Sequence, residues 1–389
     1  MYSYCSANIS RIGPMEQSGV EDRLSEAEVA KLSDRFEISR RSVANAESGF
    51  ILNAWYIAGL SSDFDRKLST RTICGKSILF FRDADGGVHA MQNRCGHRSY
   101  PLSAGTLDGN EIVCGYHGLR YNAQGICVQL PDGGCPRGRF GVRSYPLVER
   151  ASFVWIWVGD AELAKSTPVP HPEWLGGEGW SFVTGYSHAE GSYVHLHENL
   201  LDLSHLTYLH AATFGTPEFA LAPIETEIKD DDIQVWRNVE CQLPPIYSIP
   251  LGWEGQRALR RSGSQLVSPG LHVNTGIFEN LELAEQPVPK PMVKVAQLIT
   301  PETQHSIHYH YAVARNFALD DDAVGDHLLK GSQAAFREDI EALRRITQMH
   351  AEAGPGGEVF EFDIPTDRAG LEMRRRFKKL IDLEEAADA

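Results

Sequence analysis

Cys95-Gly96-His97 and Cys114-Gly115-Tyr116-His117 form the pattern C-x-H-x16-C-x2-H. Each of the two loops supplies one thiolate and one imidazole. Two Cys and two His can hold zinc, but zinc fingers group Cys with Cys and His with His. One of each per loop suits a [2Fe–2S] centre in which two thiolates hold one iron and two imidazoles hold the other. Neutral imidazoles leave the reduced cluster less negative and raise its potential to about −150 to +300 mV. Cys127 and Cys135 lie nearby but outside the pattern and read as ordinary thiols.

A second set begins at Asn199: N-x2-D-x2-H-x4-H, with Asp202, His205 and His210. On a helix, steps of three would keep Asn199, Asp202 and His205 near one face. His210 must then come from the last turn or just beyond it. Two imidazoles and one carboxylate make the facial triad of a non-haem Fe(II) oxygenase, with positions open for O2 and water. The best remote carboxylate is Asp339 in FREDIEAL, beside the apolar stripe of Phe336, Ile340, Leu343 and Ile346. An inward carboxylate needs a partner, and a metal is one. Position alone leaves a second reading, an edge Asp paired with Arg337 or Arg344. Glu338 is the alternative ligand but points further from the stripe. His195 and His197 read as outer or pocket residues at the helix entry. His308 and His310 read as packed or half-exposed strand residues.

The elements that must position these residues fall into two units. From Trp55 to about Asp160, short apolar runs alternate with turns such as DADGG and NAQG, which predicts an all-β unit of hairpins. After the Pro-rich STPVPHPEW the pattern is mixed. HENLLDLSHLTYLH, FREDIEALRRITQMH and DRAGLEMRRRFKKLIDLEE read as helices. IETEIKDDDIQVWRNV and VKVAQLITPETQHSIHYHYAVARNF read as long strands joined by turns. The expected layout is α+β: an arm over 1–47 with a capping box at Ser25–Glu28, a β domain over 48–165 and a mixed domain over 166–389.

The 389 residues bury a full core, and 42 % apolar with 23 % charged residues is ordinary globular composition. No run reaches the roughly 18 apolar residues of a membrane span. The N-terminus lacks a secretory apolar stretch, so a cytoplasmic protein is expected. Seven cysteines, an odd number, fit reduced thiols. The formal net charge of −15 argues against a nucleic-acid partner. It is uneven: from 49 to 165 there are thirteen Lys and Arg against ten Asp and Glu. A mildly basic β unit could meet an acidic ferredoxin-type reductase domain.

The two metal motifs, in this order and separation, resemble the oxygenase component of Rieske non-haem iron oxygenases. NLLDLSHLTYLH, LITPETQHSIHYHYAVARNF and FREDIEALRRI look closest to vanillate- and dicamba-type O-demethylases. The resemblance implies an all-β Rieske domain followed by a helix-grip (START-like) catalytic domain. It implies Cys95, His97, Cys114 and His117 as cluster ligands, and His205, His210 and Asp339 on the mononuclear iron. It further implies a head-to-tail homotrimer in which Asp202 bridges His117 of one chain and His205 of the next, with Asn199 near the iron. A substrate-contacting His of the dicamba enzyme falls at Gln297, and a pocket Trp is not evident near Lys330. Substrate contacts therefore do not carry over; Asn274 is a weak pocket residue.

The resulting expectation is an O2-dependent monooxygenase, fed from NAD(P)H by a flavin/ferredoxin reductase, that hydroxylates a C–H bond of an aromatic compound. Hydroxylating the methyl of an aryl ether gives a hemiacetal that collapses to a phenol and formaldehyde; N-dealkylation runs through a carbinolamine. The rival reading is ring or angular dioxygenation at the same iron. A Rieske protein that only carries electrons is disfavoured by the 200-odd residues after the β unit.

Overall fold

The computed structural model describes residues 42–136, 140–230, 232–353 and 361–388. The Ser25–Glu28 capping box, most of the predicted arm and Cys5 lie outside the described residues.

The first unit is all β. Strands β1 (Trp55–Leu60), β9 (Leu147–Arg150) and β10 (Phe153–Trp157) form one sheet. Strands β2 (Ser69–Ile73), β3 (Lys76–Arg82) and β4 (Val88–Gln92) form a second. Strands β5 (Thr106–Asp108), β6 (Glu111–Val113), β7 (Arg120–Tyr121) and β8 (Cys127–Gln129) form a third. The predicted turns join hairpins as their chemistry demands. Asp83 Oδ1 accepts from the Asp85 and Gly87 amides between β3 and β4. Asn122 Oδ1 does the same for Gln124 and Ile126 between β7 and β8.

A short helix, α1 (Ala161–Ser166), leads to the second unit, which is α+β. Its sheet is β11 (Ser181–Glu190), β12 (Glu225–Lys229), β13 (Asp232–Gln242), β14 (Arg257–Ser268), β15 (Leu271–Asn280), β16 (Met292–Thr303) and β17 (Ser306–Arg315). The order is 11-17-16-15-14-13-12, antiparallel throughout. Helices α2 (Tyr193–Leu201), α3 (Pro217–Leu221), α4 (Pro245–Leu251), α5 (Asp322–Ala353) and α6 (Arg368–Asp388) complete the unit. Helix α5 buries Phe336, Asp339 and Leu343. Ile346, placed on this stripe from sequence, is 41 % exposed, because beyond Leu343 the helix leaves the core.

The units share an apolar seam. Trp55, Phe153, Trp155 and Trp157 pack with Leu271, Leu298 and Ala312. At the same seam Thr300 Oγ1 accepts from Ile57 N–H at 3.1 Å and donates to Ile57 O at 2.9 Å. The strand leading into β1 is tied to α6: Glu384 accepts from the Leu52 and Asn53 amides at 2.7 and 2.9 Å.

Candidate metal centres and the cavity between them

The first pair of loops grows from the second and third sheets of the β unit. Cys95–His97 lies between β4 and β5, and Cys114–His117 between β6 and β7. Both sulfurs are buried and both imidazoles are exposed, with ring centroids 4.7 Å apart. Gly118 takes φ +74°, which lets the second loop turn back into β7. A Cβ on Gly115 would stand 2.6 Å from Ala104 O, so the backbones of the two loops can approach only with glycine there. Burial pushes the Cys95 thiol up. The Tyr121 hydroxyl, the backbone at His97 and Arg98, and Cys114 together outweigh it, and the thiol ends low. The buried Tyr121 hydroxyl accepts from Gly96 N–H and sits 3.1 Å from Cys95 Sγ, to which it donates. These groups stabilise thiolate, the form a metal takes. Cys127 is buried and Cys135 exposed, neither with a disulfide partner among the described residues.

The second set is built by a helix that stops. Helix α2 ends at Leu201, and Asp202 is extended (φ −95°, ψ 108°). The helix predicted over HENLLDLSHLTYLH therefore stops short, and Asn199, Asp202 and His205 do not share one helical face, while His210 comes from beyond the helix as its spacing requires. The reason is local: Asp202 Oδ1 captures the Ser204 amide at 2.6 Å, an Asx turn that competes with the next helical bond. His205 then opens a 3-10 turn (His205–Thr207), and His210 follows past it. A close loop holds His210. Gly215 N–H donates to His210 O at 2.9 Å, and any Cβ on Gly215 would collide with Leu206 O.

Among the described residues, one group of three brings its ligand atoms within 4.8 Å of one another: His205, His210 and Asp339. The two Nε2 atoms are 3.2 Å apart, and Asp339 Oδ1 is 3.2 Å from His210 Nε2 and 3.7 Å from His205 Nε2. Asp339 is 3 % exposed. It does not pair with Arg337 or Arg344, the latter being held by Glu341. Asn199 Nδ2 donates to Asp339 Oδ1 at 3.2 Å, so Asn199 orients the carboxylate. Two imidazole edges and a buried carboxylate aimed at one point fit a cation. In the cysteine loops the two sulfurs are buried together and the two imidazoles stand exposed beside each other, the division that a cluster with thiolates on one iron and imidazoles on the other requires.

Glu338 is not placed as a ligand. Its Oε2 accepts from His210 Nδ1 at 2.7 Å and from Thr213 Oγ1 at 2.8 Å. With Nδ1 donating, Nε2 presents its lone pair inward. Burial pushes the His210 imidazole down, but Asp339 and Glu338 reverse this and raise it, as befits a site built for positive charge. Burial pushes Asp202 up, yet His205 and Ser204 overcome this and hold it low, so it stays a carboxylate. Its Oδ2 lies 3.7 Å from His205 Nδ1.

A cavity opens on the triad between α2, α5 and the face of β14–β16, and its wall is largely apolar: Leu200, Leu203, Leu206, Phe214, Ile246, Val293, Val295 and Phe336. Asn274 and Gln297 line it, but they are bonded to each other at 3.0 Å and to Ser264 and Tyr309. His197 faces away, bonded to Pro269 O at 3.0 Å with its ring against His272. His195 lies beside His350. His308 and His310 pack under the β unit, where His308 Nε2 meets Thr72 O at 3.0 Å. Sequence reasoning missed Tyr121, Thr213 and Arg260. Neighbouring Arg260 and Arg261 look alike in LRRSGS, and only the strand's register puts the first inside.

Comparison with known proteins agrees with this architecture. Residues 54–146 match the Rieske [2Fe-2S] domain, and 189–383 match the vanillate O-demethylase oxygenase C-terminal domain. The chain is 31 % identical to the vanillate O-demethylase oxygenase subunit of Pseudomonas sp. (strain HR199 / DSM 7063), over 87 % of this chain and 98 % of that one. It is also 31 % identical to the dicamba O-demethylase oxygenase component of Stenotrophomonas maltophilia, over 87 % and 99 %. The structure of dicamba monooxygenase bound to 3,6-dichlorosalicylic acid superposes with a TM-score of 0.80 at 28 % identity, over 87 % of this chain and all of that one. A Rieske [2Fe–2S] domain joined to an α+β domain of this kind makes the chain a member of the Rieske non-haem iron oxygenases, in the group of vanillate O-demethylase oxygenase subunits.

Proposed function

We propose that the chain is the terminal oxygenase of a multicomponent system that removes an alkyl group from the oxygen or nitrogen of an aromatic compound. The observation carrying this is the convergence of His205, His210 and Asp339 on a largely apolar cavity. In this reading those three residues hold iron, and Cys95, Cys114, His97 and His117 hold the cluster. When bound, the iron supplies O2-dependent hydroxylation of a C–H bond.

The protein's own part is positioning. Glu338 fixes the tautomer and tilt of His210, and Asn199 fixes Asp339. Leu200, Leu206, Val293 and Phe336 exclude water and hold the ring. Asp202 keeps a carboxylate beside His205 Nδ1, where it can accept a hydrogen bond. Cluster residues His97 and His117 are exposed on the chain's own surface. Asp202 is half-buried on the other unit, so we propose that they meet across a subunit boundary in a homotrimer. The path would be His117 to Asp202 to His205. An NAD(P)H-dependent flavin or ferredoxin reductase would serve as the electron source. The proposed division is 48–165 for the cluster domain and 166–389 for the catalytic domain, and the proposed location is the cytoplasm. Among the described residues no helix is long and apolar enough to cross a membrane.

The test is turnover of methoxybenzoates and N-alkylanilines with a generic reductase, NADH and 18O2. Formaldehyde with a phenol or amine is expected. A product carrying two labelled oxygens on the ring would replace this reading with dioxygenation.

A further inference from the structure

Three arginines of the catalytic unit are buried: Arg237, Arg260 and Arg315, at 4, 2 and 1 % exposure. A guanidinium is always charged, and a buried charge needs partners. Arg237 donates from Nη1 to the carbonyls of Leu203 and Phe219. Arg315 donates from Nε and Nη2 to those of Ala318 and Asp321. Both brace the backbone and neither borders the cavity, although Arg237 keeps a buried Nε without a partner among the described residues. Arg260 is different because it lines the cavity.

Arg260 stands on β14, where period-two alternation puts it on the same face as Ser262 and Ser264. Its Nε donates to Ser262 Oγ at 2.9 Å and its Nη1 to Phe214 O at 2.7 Å. Among the described residues Nη2 has no acceptor, and no carboxylate pairs with the guanidinium. Three rings surround the charge: Phe219 at 5.0 Å, Tyr247 at 5.2 Å and Phe214 at 5.8 Å. Rings attract a cation but offer no hydrogen-bond acceptor comparable to an oxyanion. The cavity's acidic side chain, Asp339, is turned to His205 and His210. Asn274 and Gln297 are already engaged with protein partners. The wall therefore holds one cation with an unspent donor.

Phe214 relates this cation to the iron side. Its ring centroid is 4.5 Å from that of His210 and its ring lies 5.8 Å from Arg260 Cζ. Arg260, Phe214 and His210 line the same cavity, so one bound ligand can face both the cation and the iron side. We propose that Arg260 is the anion receptor of the pocket, and that the substrate is an aromatic ring bearing a carboxylate or sulfonate. The acidic group takes the Nη2 donor, and the carbon to be oxidised lies at the opposite end, towards His205 and His210. With Nε and Nη1 fixed by Ser262 and Phe214, the fork cannot swing away, so the charge sets the orientation of the ring. What happens at the oxidised carbon rests on the dealkylase reading; the charge preference does not.

The test compares matched pairs on the holoenzyme by calorimetry: 3- and 4-methoxybenzoate and 4-methoxybenzenesulfonate against the corresponding uncharged carboxamides and sulfonamide. A desolvated charge-assisted bond predicts that the anions bind about 10- to 100-fold more tightly. Arg260→Met should collapse that ratio to about 1 and leave amide binding within about 3-fold, whereas Arg260→Lys should keep part of it. The ratio is internal, so a general loss of packing does not move it. If Arg260→Met fails to fold, Arg260→Gln, which keeps an N–H for the Phe214 carbonyl, carries the same comparison. No anion preference in the wild type, failure of every anion to bind, or a preference that survives loss of Arg260 overturns the proposal. Formaldehyde release reads the other claim. Anions bound with the expected ratio but converted to diols refute dealkylation alone. Amides dealkylated with no anion preference refute only the receptor.

Discussion

Glu338 offers the sharpest check on how the iron ligands are held. In the structure its Oε2 receives His210 Nδ1–H at 2.7 Å and Thr213 Oγ1 at 2.8 Å. The carboxylate does two things: it selects the tautomer that leaves Nε2 unprotonated, and its charge makes Nε2 a better donor to a metal. Glu338→Gln keeps an acceptor oxygen but loses the charge. A charge-assisted bond is roughly twice as strong as a neutral one, so about 1 kcal/mol is lost, or roughly 5-fold in iron affinity. Glu338→Ala removes the acceptor as well. Glu338 is 26 % exposed, so water can partly replace it. The expected loss stays within the 10- to 100-fold seen for such outer ligands. Thr213→Val frees Glu338 from one donor without touching His210 and should cost little. The assay is competition for Fe(II) with a chromogenic chelator, with the cluster absorbance as an internal control. Iron affinity should fall in the order wild type, Thr213→Val, Glu338→Gln, Glu338→Ala, at constant cluster content. Wild-type iron affinity in Glu338→Ala would refute the reasoning.

Four further outcomes are expected. Asp202→Asn should leave the cluster spectrum intact and slow single-turnover electron transfer to the iron by orders of magnitude; unchanged single-turnover rates would remove the bridging role. Gly215→Ala should force its Cβ into Leu206 O, costing about 1–3 kcal/mol of stability. It should also lower iron content, readable by thermal melting and metal analysis. Burial holds the imidazoles of His197 and His310 down to about 4 and about 3. The unfolded chain, with histidines near 6.5, therefore binds more protons between about pH 6.5 and 4. Stability should fall as pH drops through that window, by up to about 1.4 kcal/mol per pH unit for each histidine. Denaturant midpoints at pH 7 and 5 measure it, and His310→Phe should flatten the slope. If the mildly basic cluster domain meets an acidic reductase, reductase-coupled rates should fall with salt; a flat response would discard that surface.

Much of this was legible in the residues because metal ligands are both few and spaced. The two Cys–His loops and the His205–His210 pair stand out by type alone, and hairpins were marked by Asp83 and Asn122. Asp339 was legible only as one of two readings, because helical periodicity cannot tell an inward carboxylate from an edge one. The stop at Leu201 was missed: an Asx turn at Asp202 wins by a single hydrogen bond that propensity does not register. Glu338 was judged by its distance from the apolar stripe. What decides its role is His210 arriving from 128 residues away in sequence. Arg260 was invisible for the same reason, since its meaning depends on which face of β14 closes over the cavity.

The tie between the two units bears on how freely such proteins can be recombined. Ile57 is hydrogen-bonded on both its N–H and C=O to Thr300, and the residues just before β1 are held by Glu384 near the far end of α6. The electron-carrying half is thus sewn to the catalytic sheet and to its last helix at once. A chimaera that exchanges the first half at a linker would carry β1 away from Thr300 and Glu384 and expose the tryptophans of the seam. Grafting should succeed only when the Trp55–Leu298 contact surface and the Glu384 clasp travel together with the domain they close.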